Sequence, residues 1–95
     1  MATYAEDVQQ FEYPDILLCS GSAQLRERMT ARLSDPHLHA RLIHRAVMGH
    51  VVIDHEEVTR TFPEGTGKIE LVAIYEVRDG KISTARFISG QRTLT

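Results

Sequence analysis

The chain has 95 residues, of which 42% are hydrophobic and 25% charged, the composition of one small soluble globular domain. No apolar run approaches the ~20 residues that a membrane helix needs, and no secretory signal is visible, so we expect no membrane association. The net charge is −2, with 11 basic residues interspersed among 13 acidic ones, which argues against a nucleic-acid partner. The single cysteine, Cys19, cannot form an internal disulfide, and the cytoplasm is the expected compartment.

The first 19 residues predict a helix end followed by two short strands. Residues 1–10 place apolar side chains at helical spacing, so we expect the last turn of a helix. Residues 11–15, which include Pro14, predict a short strand. Residues 16–19 form an apolar run that ends at Ser20-Gly21, and the two segments are expected to form an edge pair.

One full helix is predicted over residues 22–35. Leu25, Met29 and Leu33 recur every fourth residue between charged side chains, which gives the helix one apolar stripe. Ser22 is expected to cap its first turn, and Pro36 lacks the amide hydrogen that would continue it.

Four consecutive strands are predicted after this helix. They cover residues 39–48, 51–61, 69–77 and 82–89, and the turns between them contain Gly49, residues 63–67 and Asp79-Gly80. One helix covers only part of one face of such a sheet, so the sheet curls into a cone around a cavity, packs against a second subunit, or does both. We therefore expect a single α+β domain over residues 1–95 and a homodimer formed through the outer face of the sheet.

Short motifs give this element order a family resemblance. Residues 4–8 (Tyr-Ala-Glu-Asp-Val), Pro14, the helix, and above all residues 73–82 (Ala-Ile-Tyr-Glu-Val-Arg-Asp-Gly-Lys-Ile) resemble the SnoaL-like and ketosteroid-isomerase-like branch of the nuclear-transport-factor-2-like superfamily. The resemblance implies a cone-shaped, curved antiparallel sheet packed on one main helix. Its members include isomerases, dehydratases, polyketide cyclases and binding modules, so it implies a fold more specifically than an activity.

The isomerases of that branch use three groups, and this sequence departs from each. The resemblance implies a tyrosine donor on the first helix, which has no counterpart here. It places the second donor, an aspartic acid, at Ala73 or Val72, whose side chains donate no hydrogen bond. The base, which precedes a proline, falls at Tyr13 or Glu12, and Glu12 shuttles a proton only if an apolar pocket raises its pKa. Ketosteroid isomerisation itself is therefore not expected.

The third predicted strand has one distinctly apolar face. The side chains of Ile69, Leu71, Ala73, Tyr75 and Val77 alternate with Glu70, Val72, Ile74 and Glu76. The resemblance places the first set toward the cavity together with Phe87 and Ser89, with the hydroxyls of Tyr75 and Ser89 as polar groups. The alternative is that these residues are ordinary core.

Residues 53–58 concentrate ionisable side chains in one strand. Asp54 and Glu56 share one face, and His55 and Glu57 share the other. If Asp54 and Glu56 point into the cavity, two carboxylates at low dielectric raise one pKa and provide a general acid and base. If they point outward, they protect a strand against aggregation. The outward orientation is the favoured prediction.

The other polar residues favour structural roles. Five histidines have no ligand spacing that indicates a metal, although His39 or His55 beside a carboxylate would make a proton shuttle. Arg41 and Arg45, placed on one strand face, either bind an anion or pair with the carboxylates of the neighbouring strand, and pairing is preferred. Cys19 is expected to be a small core residue.

Two functions of different classes follow from these residues. In the first, a cofactor-independent enzyme moves protons on a small apolar carbonyl compound, with Glu12, Asp54 or Glu56 as the base and Tyr13, Tyr75 or His39 as the donor. In the second, the same pocket belongs to a binding or dimerisation module without catalysis. A carboxylate with a raised pKa inside the cavity would distinguish them. No nucleotide-binding loop, catalytic serine motif or zinc spacing is present, so no cofactor is expected.

Overall fold

The computed structural model describes residues 3–94, which form six strands and one helix. The strands are Tyr4–Glu12 (β1), Ile16–Ser20 (β2), His39–Met48 (β3), Val51–Phe62 (β4), Gly65–Arg78 (β5) and Lys81–Leu94 (β6), and the helix is Ser22–Leu33 (α1). All six strands form one curved sheet in the order β2-β1-β6-β5-β4-β3. The predicted α+β fold, with an N-terminal strand pair, one helix and a four-strand meander, is confirmed.

The N-terminal segment is a strand, so the predicted helix end is wrong for its described part; residues 1 and 2 lie outside the described residues. β1 pairs antiparallel with β2 and parallel with β6, so the sheet is mixed and, of the predicted edge pair, β2 lies at a sheet edge while β1 is an interior strand. The β1–β6 pairing shifts register between Tyr4 and Gln9, and the two apolar residues buried there, Ala5 and Val8, are three positions apart. Such an irregularity gives a strand the spacing that is typical of a helix.

Helix α1 begins without a side-chain cap. Gly21 is the N-cap residue with φ 86°, and no side chain bonds to the first turn, so the predicted Ser22 cap is wrong. The positive φ favours glycine at this position. The amide of Ser20 instead donates to Oε1 of Gln24 at 2.8 Å.

A small hydrophobic cluster joins the helix to the sheet. Leu25 is the one buried residue of α1, and it packs with Val8 and Cys19, with Tyr4 and Met29 at the side of the cluster. The prediction that Cys19 is a core residue is confirmed, because it is 2% exposed. The helix packs on β1 and β2, and we call the sheet face on that side the inner face and the opposite one the outer face. No helix within residues 3–94 is long and apolar enough to cross a membrane.

A bulge in β3 separates two arginines that were predicted to share a face. The β3–β4 register shifts between Leu42 and His44. Arg45 therefore bonds to Asp54, with Nε and Nη2 to the two carboxylate oxygens at 2.6 and 2.9 Å. Arg41 lies 3.6 Å from Glu57. Since residues 54 and 57 lie on opposite faces of the regular strand β4, the shared-face prediction is wrong, whereas pairing with β4 is confirmed.

Candidate functional site

An open pocket of 680 Å³ lies between α1 and the inner face of β4, β5 and β6. This volume is in the range that holds a small organic ligand. Its lining from the N-terminal half comprises Tyr4, Gln10, Glu12, Leu18, Arg28, Met29, Arg32, Leu38, His39 and Ala40, and from the C-terminal half Glu56, Val58, Arg60, Ile69, Leu71, Tyr75, Phe87 and Ser89.

The part of the pocket wall that β5 forms is apolar. Ile69, Leu71 and Tyr75 alternate along β5 and reach the pocket from one strand face. The rings of Tyr75 and Phe87 meet edge to face, with centroids 6.5 Å apart and planes at 89°. That arrangement is favourable for two aromatic rings and holds the Tyr75 side chain in one orientation.

Glu56 is a carboxylate that lines this pocket, so the predicted outward orientation of Asp54 and Glu56 is wrong. Asp54 is 5% exposed on the same face, but its two oxygens are occupied by Arg45 and it does not line the pocket. Glu56 forms no hydrogen bond or ion pair with any of residues 3–94. Burial raises the pKa of the Glu56 carboxyl, the charge of Asp54 raises it further, and Arg45 lowers it in part.

Two tyrosine hydroxyls lie within electrostatic reach of Glu56. Burial is the main reason that the pKa of Tyr75 is raised, followed by the charges of Tyr4 and Glu56. Burial and Glu56 also raise the pKa of Tyr4. Both hydroxyls therefore stay protonated and able to donate. Within the described part of the chain, neither hydroxyl has a hydrogen-bond partner, so both are available to a ligand.

Tyr4 is a pocket residue that the sequence pattern does not predict. Its spacing indicates the end of a helix, whereas β1 carries Tyr4, Gln10 and Glu12 along the pocket wall. The sequence carries no clear signal of this strand face, because the pocket-lining Gln10 and Glu12 are polar and break the apolar alternation that is typical of a half-buried strand.

The structure brings most of the predicted site residues to the pocket. Six of them lie in its lining besides Glu56: Glu12, His39, Leu71, Tyr75, Phe87 and Ser89. Tyr13, in contrast, is 57% exposed and lies outside the lining. Ala73 is fully buried, and it lies opposite Asp54 and Phe87 in the sheet register. Its side chain is on the inner face but does not line the pocket. Between residues 3 and 94, no three His, Cys, Asp or Glu side chains come together as a metal site.

Comparison with known proteins agrees with this architecture. A family model described as SnoaL-like domain matches residues 1–85. A cystatin-fold protein from Novosphingobium aromaticivorans superposes with a TM-score of 0.82 at 23% identity, over 92% of this chain and 79% of that one. A protein with a ketosteroid-isomerase-like fold from Catenulispora acidiphila, in complex with trimethylamine, gives 0.76 at 10% identity, over 90% and 68%. An epoxide hydrolase of the LEH-like type from M. tuberculosis gives 0.70 at 14% identity, over 94% and 66%. No curated protein matches the chain.

Proposed function

Since the chain belongs to the SnoaL-like domain family, we propose that it is a cofactor-independent enzyme that transfers a proton on an apolar carbonyl compound. Glu56 is the general base, and the hydroxyls of Tyr75 and Tyr4 are the hydrogen-bond donors to the carbonyl oxygen. One observation carries the proposal: Glu56 is a pocket-lining carboxylate with no partner among the described residues and with two protonated tyrosines near it.

In the proposed reaction, Glu56 removes a proton from the carbon next to the carbonyl group. The electron pair of the broken C–H bond moves into the carbonyl, and negative charge develops on its oxygen. A hydroxyl of Tyr75 or Tyr4 stabilises that charge by donating a hydrogen bond, which is stronger in the apolar pocket than in water. Glu56 then returns the proton to the same carbon or to a conjugated one, which regenerates the carboxylate.

The electrostatic surroundings suit Glu56 to this role. A base is most effective when its pKa lies near the working pH, and both burial and Asp54 raise the pKa of Glu56 from its ordinary value. Arg45 is occupied by Asp54 and does not form an ion pair with Glu56. Asp54 therefore raises the pKa of Glu56 more than Arg45 lowers it.

The alternative function is a ligand-binding module with the same pocket. Such a module requires apolar lining and one or two hydroxyls, but it has no need for an unpaired carboxylate in a partly dehydrated site. Leaving a carboxylate there lowers stability, and groups of this kind concentrate at functional sites. Glu56 therefore favours the enzyme over the binding module.

Hydrogen-deuterium exchange of an apolar ketone tests the proposed reaction. We expect the protein to accelerate exchange at the carbons next to the carbonyl of 2-tetralone in D₂O, followed by proton NMR. Glu56→Gln should lower the enzymatic rate by about 10² to 10⁴, and Tyr75→Phe by about 10². Glu57→Gln is the matched control, because Glu57 is the next residue but pairs with Arg41 and Lys68 on the outer face.

Two results would count against the proposal, the first against the activity and the second against the assigned base. If exchange is no faster than in buffer, the protein does not have the proposed activity on this class of ketone, and the ligand-binding module becomes the favoured function. Exchange that is equally fast in Glu56→Gln shows that another group is the base.

The homodimer expected from the sequence is also a proposal. Met48 and Ile88 lie on the outer face and are 63% and 40% exposed. The same face also carries ion pairs such as Arg86–Glu76. A second copy of the chain could therefore contact both apolar and charged side chains there. Sedimentation should show a dimer at micromolar concentration, and a monomer throughout that range would contradict it.

A further inference from the structure

The positive charges of the protein are not all balanced by carboxylates. Of the 11 Lys and Arg side chains, six form ion pairs within residues 3–94, namely Arg41, Arg45, Lys68, Arg78, Arg86 and Arg92. Three of the others, Arg28, Arg32 and Arg60, line the same pocket. The same three residues also line an adjoining groove between α1 and the end of β4, so they lie where pocket and groove meet. We call these three residues the arginine rim.

Neighbouring groups hold the arginine rim without neutralising it. Nε of Arg28 donates to the amide oxygen of Gln10 at 3.1 Å, and Arg60 lies over the ring of Phe62 at 4.7 Å. Asp35, the acidic residue of the adjoining groove, already accepts from the amide and hydroxyl of Thr61 at 2.7 and 3.0 Å and from the amide of His37 at 2.9 Å. Partial burial and the charge of Arg28 lower the pKa of Arg32, and the charge of Asp35 raises it only in part, so the effect of the like charge remains.

Arg60 of the arginine rim and Glu56 line the pocket at separate positions along β4. Arg60 and Glu56 are four residues apart on one face of β4, and a strand rises about 3.3 Å per residue, so their backbones are about 13 Å apart. The apolar side chains of Val58, Ile69 and Leu71 line the pocket in this region of β4 and β5. The pocket lining also contains two carboxylates, Glu12 and Glu56, and neither forms an ion pair with the arginine rim among residues 3–94.

We infer that the arginine rim binds the anionic head group of the ligand, so that the pocket takes an apolar molecule bearing a carboxylate or a phosphate monoester. Guanidinium groups donate paired hydrogen bonds to the oxygens of both head groups. The carbonyl part of the ligand rests on the proposed function, and the anionic part rests on the arginine rim alone.

A series of three naphthalene compounds tests this site. We expect 2-naphthoate to bind the purified protein about tenfold more tightly than the neutral 2-naphthamide, measured by calorimetry at neutral pH and low ionic strength. 2-Naphthyl phosphate is the third compound, and its affinity relative to 2-naphthoate shows which head group the site takes. In the double variant Arg32→Gln, Arg60→Gln, both anions should bind no better than the amide.

Matched variants separate the arginine rim from general charge effects and from catalysis. Arg26→Gln removes an exposed arginine of the same helix that has no ion pair within residues 3–94 and is outside the pocket lining, so the preference for anions should persist. Glu56→Gln should also keep that preference while it lowers the rate of proton exchange, which distinguishes failure of the binding site from failure of the enzyme. Equal affinity for the anions and the amide, no binding of any of the three compounds, or the same loss in Arg26→Gln would overturn the inference.

Discussion

Replacement of Leu25 by alanine tests how the helix that forms one wall of the pocket is attached. Leu25 is fully buried and is the one buried residue of α1, while Arg28, Met29 and Arg32 of the same helix line the pocket. The helix has 12 residues, which is too short for stability in isolation. Its position therefore depends on the contacts of Leu25 with the cluster of Val8 and Cys19.

The expected loss follows from the size of this cluster. Leu-to-Ala changes at buried sites lower the free energy of unfolding by about 2.7 to 5.0 kcal/mol, depending on how far the neighbours fill the cavity. Met29 is flexible and only partly buried beside Leu25, so it can move into part of the space. We therefore expect a loss of about 3 kcal/mol. A chain of this length has a total stability of about 5 to 14 kcal/mol, so the variant should still fold.

Urea unfolding followed by far-ultraviolet circular dichroism measures the effect. With a denaturant dependence of about 1.5 kcal/mol per molar, the midpoint should fall by about 2 M. Leu33→Ala is the control, because Leu33 is on the same helix but 69% exposed, and it should change stability by less than about 0.5 kcal/mol. A loss below about 1 kcal/mol for Leu25→Ala, or equal losses for both variants, would show that the helix is attached in another way.

Further predictions concern the charges around Glu56. Asp54→Asn should move the acidic limb of the proton-exchange rate to lower pH, because Asp54 raises the pKa of Glu56; a limb that stays in place would contradict this coupling. Arg45→Gln should move the limb to higher pH, and it should lower the urea midpoint because Asp54 is left buried without its partner. Glu56→Gln should stabilise the fold at neutral pH. The folded protein raises the pKa of Glu56 above its unfolded value, so the wild type loses stability as pH rises through the folded pKa, and the advantage of glutamine should vanish below the unfolded value. Unfolding midpoints of both proteins across that pH range measure this difference.

The sequence predicts the C-terminal meander well because its local and long-range signals agree. Strands β3, β4, β5 and β6 alternate apolar and polar residues, and each turn carries residues suited to it. Asp79 and Gly80 adopt φ of 53° and 76°, as a two-residue hairpin turn with two positive φ values requires. The sequence does not predict β1 in the same way, because its pairing with β6 connects residues far apart in the chain. Its register shift also leaves the buried residues Ala5 and Val8 three positions apart, a spacing that is typical of a helix.

The site is only partly predictable for a related reason. Strand alternation shows that Asp54 and Glu56 share a face, but it does not show which face is covered by the helix. The β3 bulge between Leu42 and His44 has no signature in the sequence, so the separation of Arg41 from Arg45 follows only from the structure. The convergence of α1 and the end of β4 at the arginine rim likewise depends on packing across the pocket.

Titration of the Glu56 carboxyl tests the central claim most directly. Carbon-13 NMR of the glutamate side chains follows each carboxyl across the acidic and neutral pH range, and the signal that is lost in Glu56→Gln identifies this residue. We expect a midpoint above that of an unperturbed glutamic acid, and the same midpoint in the pH dependence of 2-tetralone exchange. A Glu56 carboxyl that titrates at or below the unperturbed value would contradict its assignment as a half-buried base without a partner among the described residues.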